Sequence, residues 1–575
     1  MKKSLYNISY ILKISNKKIR SNILVIFIIM FSIGIGEIIS LLIIKPFISL
    51  ISGDNESSPD SLINKLLNLN NTNDKTLIIG LSLIFLILVL NLLKIYNLHL
   101  INRVSAKIGT SIGEKIFSES ILTKYYDFNR DDSSYIISAL TNQLTATVTS
   151  LINLLKIFSS FISCFFIILG LLIINFKINI LAIFLFGSTY YFVYVCVKNK
   201  LTKNSVIIKN NSESHIKIIK NSIGANKEII TNNLYFLFRD KYHDTDYPLR
   251  KAKADSATYK VIPRSIIEIL AITFIISIGI FDNFLSQNNF IAYIASLAFG
   301  IQRLMPTMQT IFSSIAYISS ESASVSNIKN LLKIKNNSVY KRNFSRNLKF
   351  SEITLDNISF YYRDKKNNNE NNIFKDFNIK INKGEKIGII GETGTGKSTL
   401  IELIVGLIKP QKGFVKIDGT DLHSRTDTNI LFNWRNSICF LPQSPFLFDG
   451  TIIENITFGD NSNKINLERI KESCRKAEIL DYVNSLKNKF KSRVGENGTK
   501  LSGGQAQRIA LARLFYLNKK IIILDEATSS LDFNTEQKII NSLKALDSTY
   551  TIILITHRKE ILKICSRIIN IEKIN

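Results

Sequence analysis

The chain has 575 residues, too many for one hydrophobic core, and a net charge of +28 from 73 Lys and Arg against 45 Asp and Glu. The basic excess is scattered with Asn and Ile along the whole length, with no basic helix or aromatic-interleaved strand to concentrate it, which argues against a nucleic-acid partner. The five cysteines, Cys164, Cys196, Cys439, Cys474 and Cys565, form no C-x-x-C pair and no even framework, so zinc, redox and disulfide roles are set aside and they are read as packing residues.

Residues 1–335 alternate apolar runs with Lys/Asn-rich stretches, the pattern of an all-α domain embedded in a membrane. Residues 6–14 set apolar positions on one side, among Lys13, Lys17, Lys18 and Arg20. They read either as a helix on the membrane surface or as a solvated tail. No short apolar segment with a cleavage site follows, so the first span is expected to stay in the membrane. Six transmembrane helices are predicted, at 23–44, 77–93, 151–174, 180–197, 266–281 and 290–311. The polar stretches between them keep helical periodicity over long runs without Gly/Pro punctuation, so long water-exposed extensions are expected. Segment 198–265 carries 14 Lys/Arg against 6 Asp/Glu and segment 45–76 carries 3 against 4. That asymmetry puts the N-terminus, 94–150 and 198–265 in the cytoplasm, with room for a small outer helix at 60–69. Two aromatic-rich stretches, 125–128 and 234–239, fall at the tips of the expected hairpins. Each is either a docking surface for another domain or ordinary packing between hairpins. Glu37 lies inside the first span, either as a site residue or as a carboxylate hydrogen-bonded between helices.

Residues 336–347 are polar and basic and read as a linker, after which 348–575 alternates strand-like and helix-like segments in the manner of an α/β domain. Within it, Gly391-Glu392-Thr393-Gly394-Thr395-Gly396-Lys397-Ser398-Thr399 lies between the apolar run 387–390 and a helix-like run. This is a phosphate-binding P-loop: glycines let successive backbone N–H groups close around phosphate oxygens at a helix N-terminus. Lys397 is expected to reach the β/γ-phosphates, and the Ser398 hydroxyl to ligate Mg²⁺. About 130 residues on, a buried-strand pattern ends in Asp525 and Glu526. Asp525 is placed to hold Mg²⁺ and Glu526 to polarise the attacking water.

Just upstream, Leu501-Ser502-Gly503-Gly504-Gln505 resembles the signature of ABC-type ATPases. The resemblance implies further roles. Tyr362, with Tyr361 as the alternative, matches the aromatic residue that stacks on adenine. Gln443 in Leu441-Pro442-Gln443 matches the glutamine that contacts Mg²⁺ and water. Residues Ser529 to Asp532 resemble the D-loop, and His557 the switch histidine at the γ-phosphate. It further implies a homodimer, in which Ser502, Gly503 and Gly504 of one copy close over the nucleotide held by Lys397 of the other, and a fit with the commonest oligomer symmetry. Since Glu526 and His557 are both present, both composite sites are expected to hydrolyse ATP.

Six spans fused ahead of such an ATPase domain resemble an exporter half-transporter in the plasma (inner) membrane, with the ATPase in the cytoplasm. The early first span is expected to disfavour, without excluding, the bacteriocin exporters that carry a peptidase domain. Segments 99–103, 261–264 and 302–306 resemble bacterial flippases for lipid-linked oligosaccharides, the PglK family. In that family cavity arginines meet the lipid pyrophosphate, and Arg264 and Arg303 match such positions. A third arginine expected in the second span appears as Leu90, with Lys94 one turn on as a substitute point charge lacking the bidentate fork. The substrate candidates are thus Arg264, Arg303, Lys94 and Glu37, although both arginines also suit interface anchoring. The alternatives are an exporter of peptide, lipid or drug-like molecules and, in another class, a non-transporting ABC regulator of a partner, whose usual mark would be a damaged Glu526 or His557 position.

Overall fold

The computed structural model describes residues 7, 17–52, 72–122, 133–174, 176–281, 290–333, 350–363, 370–424, 429–458 and 465–573. The aromatic stretch 125–128, the outer helix at 60–69, the linker 336–347 and all of 6–14 except residue 7 lie outside them. The described residues form two compact units, a helical one up to residue 333 and an α/β one from residue 350.

The helical unit is built on α1 (Lys17–Ser52), α2 (Thr72–Leu122), α3 (Leu144–Ile174), α4 (Phe176–Gly224), α5 (Tyr235–Phe281), α6 (Phe290–Ser320) and α7 (Ser322–Lys333). Among the described residues four helical stretches are long and apolar enough to cross a membrane: Ile19–Ile48, Thr76–Ile121, Ser134–Ile174 and Asn179–Gly224. The expected spans 266–281 and 290–311 are helical as well, within α5 and α6. At about 1.5 Å per residue, the 51 residues of α2 reach about 76 Å, more than twice a hydrocarbon layer of about 30 Å.

On α2, Leu81, Phe85, Leu88 and Leu92 are exposed at helical spacing, the apolar stripe that a lipid-facing helix presents. Lipid is as apolar as leucine, so close packing at small residues must hold the helices together. A Cβ on Gly36 would come within 2.2 Å of Leu90 on α2, and one on Gly300 within 2.4 Å of Leu171 on α3. Before α3, the short helix Ser133–Ser138 passes through a π-helical turn, Ala139–Gln143. That wider turn presents Gln143 to Asn327 of α7 at 2.6 Å, and Tyr135 donates to the other end of the same amide at 2.9 Å.

The α/β unit carries nine strands among its described residues: β1 (Glu352–Arg363), β2 (Glu370–Asn382), β3 (Lys386–Ile390), β4 (Lys412–Ile417), β5 (Thr420–Asp421), β6 (Ile438–Leu441), β7 (Ile521–Asp525), β8 (Thr551–Ile555) and β9 (Arg567–Asn570). An antiparallel sheet runs β2-β1-β4-β5, and a parallel sheet runs β6-β7-β8-β3-β9. The strands β6, β7 and β8 are near-continuous apolar runs because both faces are covered, as such sheets require, whereas the edge strand β9 leaves Arg567 and Ile568 exposed. One core joins the two sheets around α8 (Lys397–Val405), where buried Trp434 donates its indole N–H to Ile404 O at 2.7 Å. A second core lies between the parallel sheet, α9 (Gly503–Leu517) and α10 (Phe533–Lys544). Its Cys439 and Cys474 are buried, and burial pushes their thiols up to about 11 and about 12, in keeping with inert packing.

Gly413, in β4, lies at φ +81°, and a Cβ there would sit 2.3 Å from the carbonyl oxygens of Asp356 and Asn357 at the irregularity in β1. Gly413→Ala should therefore cost about 2 kcal/mol and lower the thermal midpoint of the α/β unit by roughly 4–8 °C, read by calorimetry of the purified chain.

Candidate functional site

Four strands of the parallel sheet end on the same side, and their C-terminal ends carry the residues that the motifs single out. The loop after β3 turns through Gly391, Gly394 and Gly396, the last two at φ +91° and +97°, and delivers Lys397 to the first turn of α8. The Lys397 ammonium donates to the carbonyls of Gly391 at 2.6 Å and Glu392 at 2.8 Å, so it lies across the mouth of its own loop. Ser398 Oγ donates to Asp525 Oδ2 at 3.1 Å, joining the loop to the end of β7. Glu526 follows in a left-handed conformation, φ +48°, costly for a residue with a side chain. Gln443, just past β6, donates from Nε2 to Glu526 Oε2 at 2.8 Å, and His557, just past β8, places Nε2 3.5 Å from Oε1. Ser398 with Asp525, and Gln443 and His557 with Glu526, thus form two bonded groups at neighbouring strand ends, and the charges of Lys397 and Glu526 both act on Asp525.

Burial raises the Asp525 carboxyl above its ordinary value, opposed by the Ser398 hydroxyl and reinforced by the charge of Glu526. Glu402 on α8 is raised as well, by burial first, with the Tyr362 hydroxyl opposing and Asp525 adding. Tyr362 reaches the same helix: its hydroxyl is 3.3 Å from Thr399 Oγ1, and its ring stands edge-on to Phe360. Tyr361 bonds through its backbone to Gln411.

The signature segment stands at the start of α9. Ser502 caps it, accepting from Gln505 N at 3.3 Å while Gln505 Oε1 accepts from Ser502 N at 2.9 Å. Ser502 and Gly503 are exposed. Gln507, on the buried side of α9, donates to Ser529 Oγ at 3.2 Å and accepts from Ser530 N at 3.1 Å, tying the signature helix to the D-loop. Neither Gln507 nor Glu402 belongs to the sequence patterns, and only the apolar periodicity of α9 marks Gln507 as an inward polar residue. Glu572, which accepts from the backbone N–H of Glu392, carries no sequence signal at all.

In the helical unit the four substrate candidates divide. Glu37 on α1, buried, forms ion pairs with Lys94 on α2 and with Arg303 on α6, and Arg303 also donates to Ser40 Oγ at 2.8 Å. Arg264 on α5 is exposed and outside this cluster. Leu90 is buried and packs over Gly36, and Lys94, one turn further on along α2, pairs with Glu37. Lys94 and Arg303 are therefore both partners of a buried carboxylate. The aromatic stretch at 234–239 is exposed through Leu234, Tyr235, Phe236 and Leu237.

The family model for the ABC transporter matches residues 374–529. ABC transporter B family member 17 of Arabidopsis thaliana is 39% identical over 222 residues, which cover 39% of this chain and 17% of that protein. The ATP-dependent lipid A-core flippase of Desulfotalea psychrophila is 39% identical over 221 residues, 38% of this chain and 36% of the flippase. The lactococcin-G-processing and transport ATP-binding protein LagD of Lactococcus lactis is 33% identical over 317 residues, 54% and 42%. The matched stretch spans less than half the length of each of these relatives. A bacterial Atm1-family ABC exporter, solved with ATP bound, superposes with a TM-score of 0.77 at 19% identity, over 97% of this chain and 94% of that one. The chain therefore has the fold of an ABC exporter half-transporter, a helical membrane domain followed by an ABC ATPase domain.

Proposed function

We propose that two copies of this chain form an ATP-driven exporter or flippase in the plasma (inner) membrane, with the ATPase domains in the cytoplasm. Its substrate is an anionic amphipathic molecule, with a lipid-linked oligosaccharide or related lipid-linked glycan as the leading class. The observation that carries the reading is the convergence of Lys397, Ser398, Gln443, Asp525, Glu526 and His557 at the strand ends.

The loop amides and Lys397 receive the β- and γ-phosphates, the ammonium exchanging the loop carbonyls for phosphate oxygens. Ser398, Asp525 and the side-chain oxygen of Gln443 offer the hard oxygen ligands that Mg²⁺ takes, and the 3.1 Å between Ser398 and Asp525 is compatible with one shared ion. A Mg²⁺ held by these residues would supply neutralisation of charge on the phosphates. Glu526, held between Gln443 and His557, polarises the attacking water, while His557 faces the γ-phosphate. The Ser502–Gly504 turn of one copy, exposed at Ser502 and Gly503, closes over the nucleotide of the other, and ATP favours the closed dimer. Tyr362, beside Thr399, borders the adenine.

The lipid A-core flippase among the relatives agrees with a lipid-linked cargo. A peptide cargo is the second reading, favoured by the alignment to LagD, which at 317 residues runs past the ATPase domain into the membrane domain. Proteoliposomes challenged with lipid-linked glycans, lipids, peptides and hydrophobic cations separate the two, since the correct class alone stimulates hydrolysis and moves across the bilayer.

Glu526→Gln should keep nucleotide binding and lower turnover by about 10²–10⁴-fold. A wild-type rate in that variant would remove Glu526 from its role. Ser502→Arg should leave ATP binding by each copy intact and abolish hydrolysis. Hydrolysis that persisted, or a protein that stayed a single copy with ATP, would overturn the composite site.

A further inference from the structure

Three helices of the membrane domain bring one carboxylate and two cations together. The Glu37 side chain is only 1% exposed, with one oxygen paired to Lys94 Nζ and the other to Arg303 Nη1. Arg303 also holds Ser40 Oγ at 2.8 Å, and its guanidinium lies 4.6 Å from the centre of the Phe299 ring. The Arg303 side chain is 15% exposed, whereas that of Lys94 is 44% exposed.

A carboxylate among apolar helices needs a cation, and one is enough to neutralise it. Among the described residues two are paired with it, one on each oxygen, so this group is one negative charge short of neutrality. The two cations differ in a useful way. Lys94 is a point charge on a flexible stem, while Arg303 offers a planar fork that matches a carboxylate or phosphoryl group with two parallel bonds. If Glu37 falls back on Lys94 alone, Arg303 is released with Ser40 beside it, and one incoming monoanion completes two neutral pairs.

We propose that Glu37 is a resident counter-anion that occupies Arg303 until the anionic head group of the cargo takes its place, with Lys94 holding Glu37 during the exchange. The inference rests on the export reading above and assigns the regulation of its substrate site. Glu37 raises the cargo concentration needed for binding, because only the fraction of molecules with Arg303 released is competent. Lys94 acts in the opposite sense.

The test is ATPase stimulation of the full chain in phosphatidylcholine proteoliposomes by laurate and by dodecyl phosphate, which separate a carboxylate from a phosphoryl head group on the same tail. Dodecyltrimethylammonium serves as the cationic control. Glu37→Gln should lower the half-maximal concentration of the anions about tenfold, as expected when a competent fraction of about a tenth becomes nearly complete. Lys94→Gln, which leaves the neutral Glu37–Arg303 pair and so does not threaten folding, should raise it several-fold. Opposite shifts are the signature, because a purely structural ion cluster would weaken the response in both variants. Shifts in the same direction, no shift, no response of the wild type to either anion, or cation stimulation that disappears in Glu37→Gln would each overturn the proposal. The export reading fails separately, if the shifts occur but no labelled amphiphile crosses the bilayer.

Discussion

A single hydroxyl joins the two halves of the nucleotide site. Ser398 follows the phosphate loop, Asp525 ends β7, and the 3.1 Å bond between them requires those strand ends to lie level. In the parallel sheet β8 separates β3 from β7, so the bond spans a strand and also brackets His557, which follows β8. Every other contact of the site inherits this alignment. Gln443 reaches Glu526 because β6 flanks β7, and Lys397 sits over the group because α8 starts where the loop closes.

The ATPase half is legible in sequence because its chemistry is written in consecutive residues. A glycine loop between a strand and a helix has one physical reading, and an apolar strand ending in Asp525 and Glu526 completes it. The bonds that orient these groups are less visible. Gln507 links the signature helix to the D-loop through an amide that only the apolar periodicity of α9 marks, and Tyr362 meets Thr399 across 37 positions of chain.

The membrane half is legible only in outline. Hydropathy marks apolar helices, and charge asymmetry suggests an orientation, but neither pairs one helix with another. Glu37 and Arg303 stand 266 positions apart, and only the folded chain brings them together. The surroundings of positions 90 and 94 emerge in the same way: Leu90 fills the narrow contact over Gly36, and Lys94, one turn beyond it, pairs with Glu37. Arg264, which looks equivalent to Arg303 by resemblance alone, is exposed and outside the cluster.

The backbone at Glu526 has an effect of its own. At φ +48° the chain is held where an L-residue is least comfortable, fixed by the bonds Glu526 N to Ile555 O and Ser529 N to Glu526 O. A glycine in that place would relax the turn and at the same time delete the carboxylate. Robustness to heat and competence in chemistry therefore pull against each other at one position, and a more rugged protein with a silent engine is only one codon's choice away.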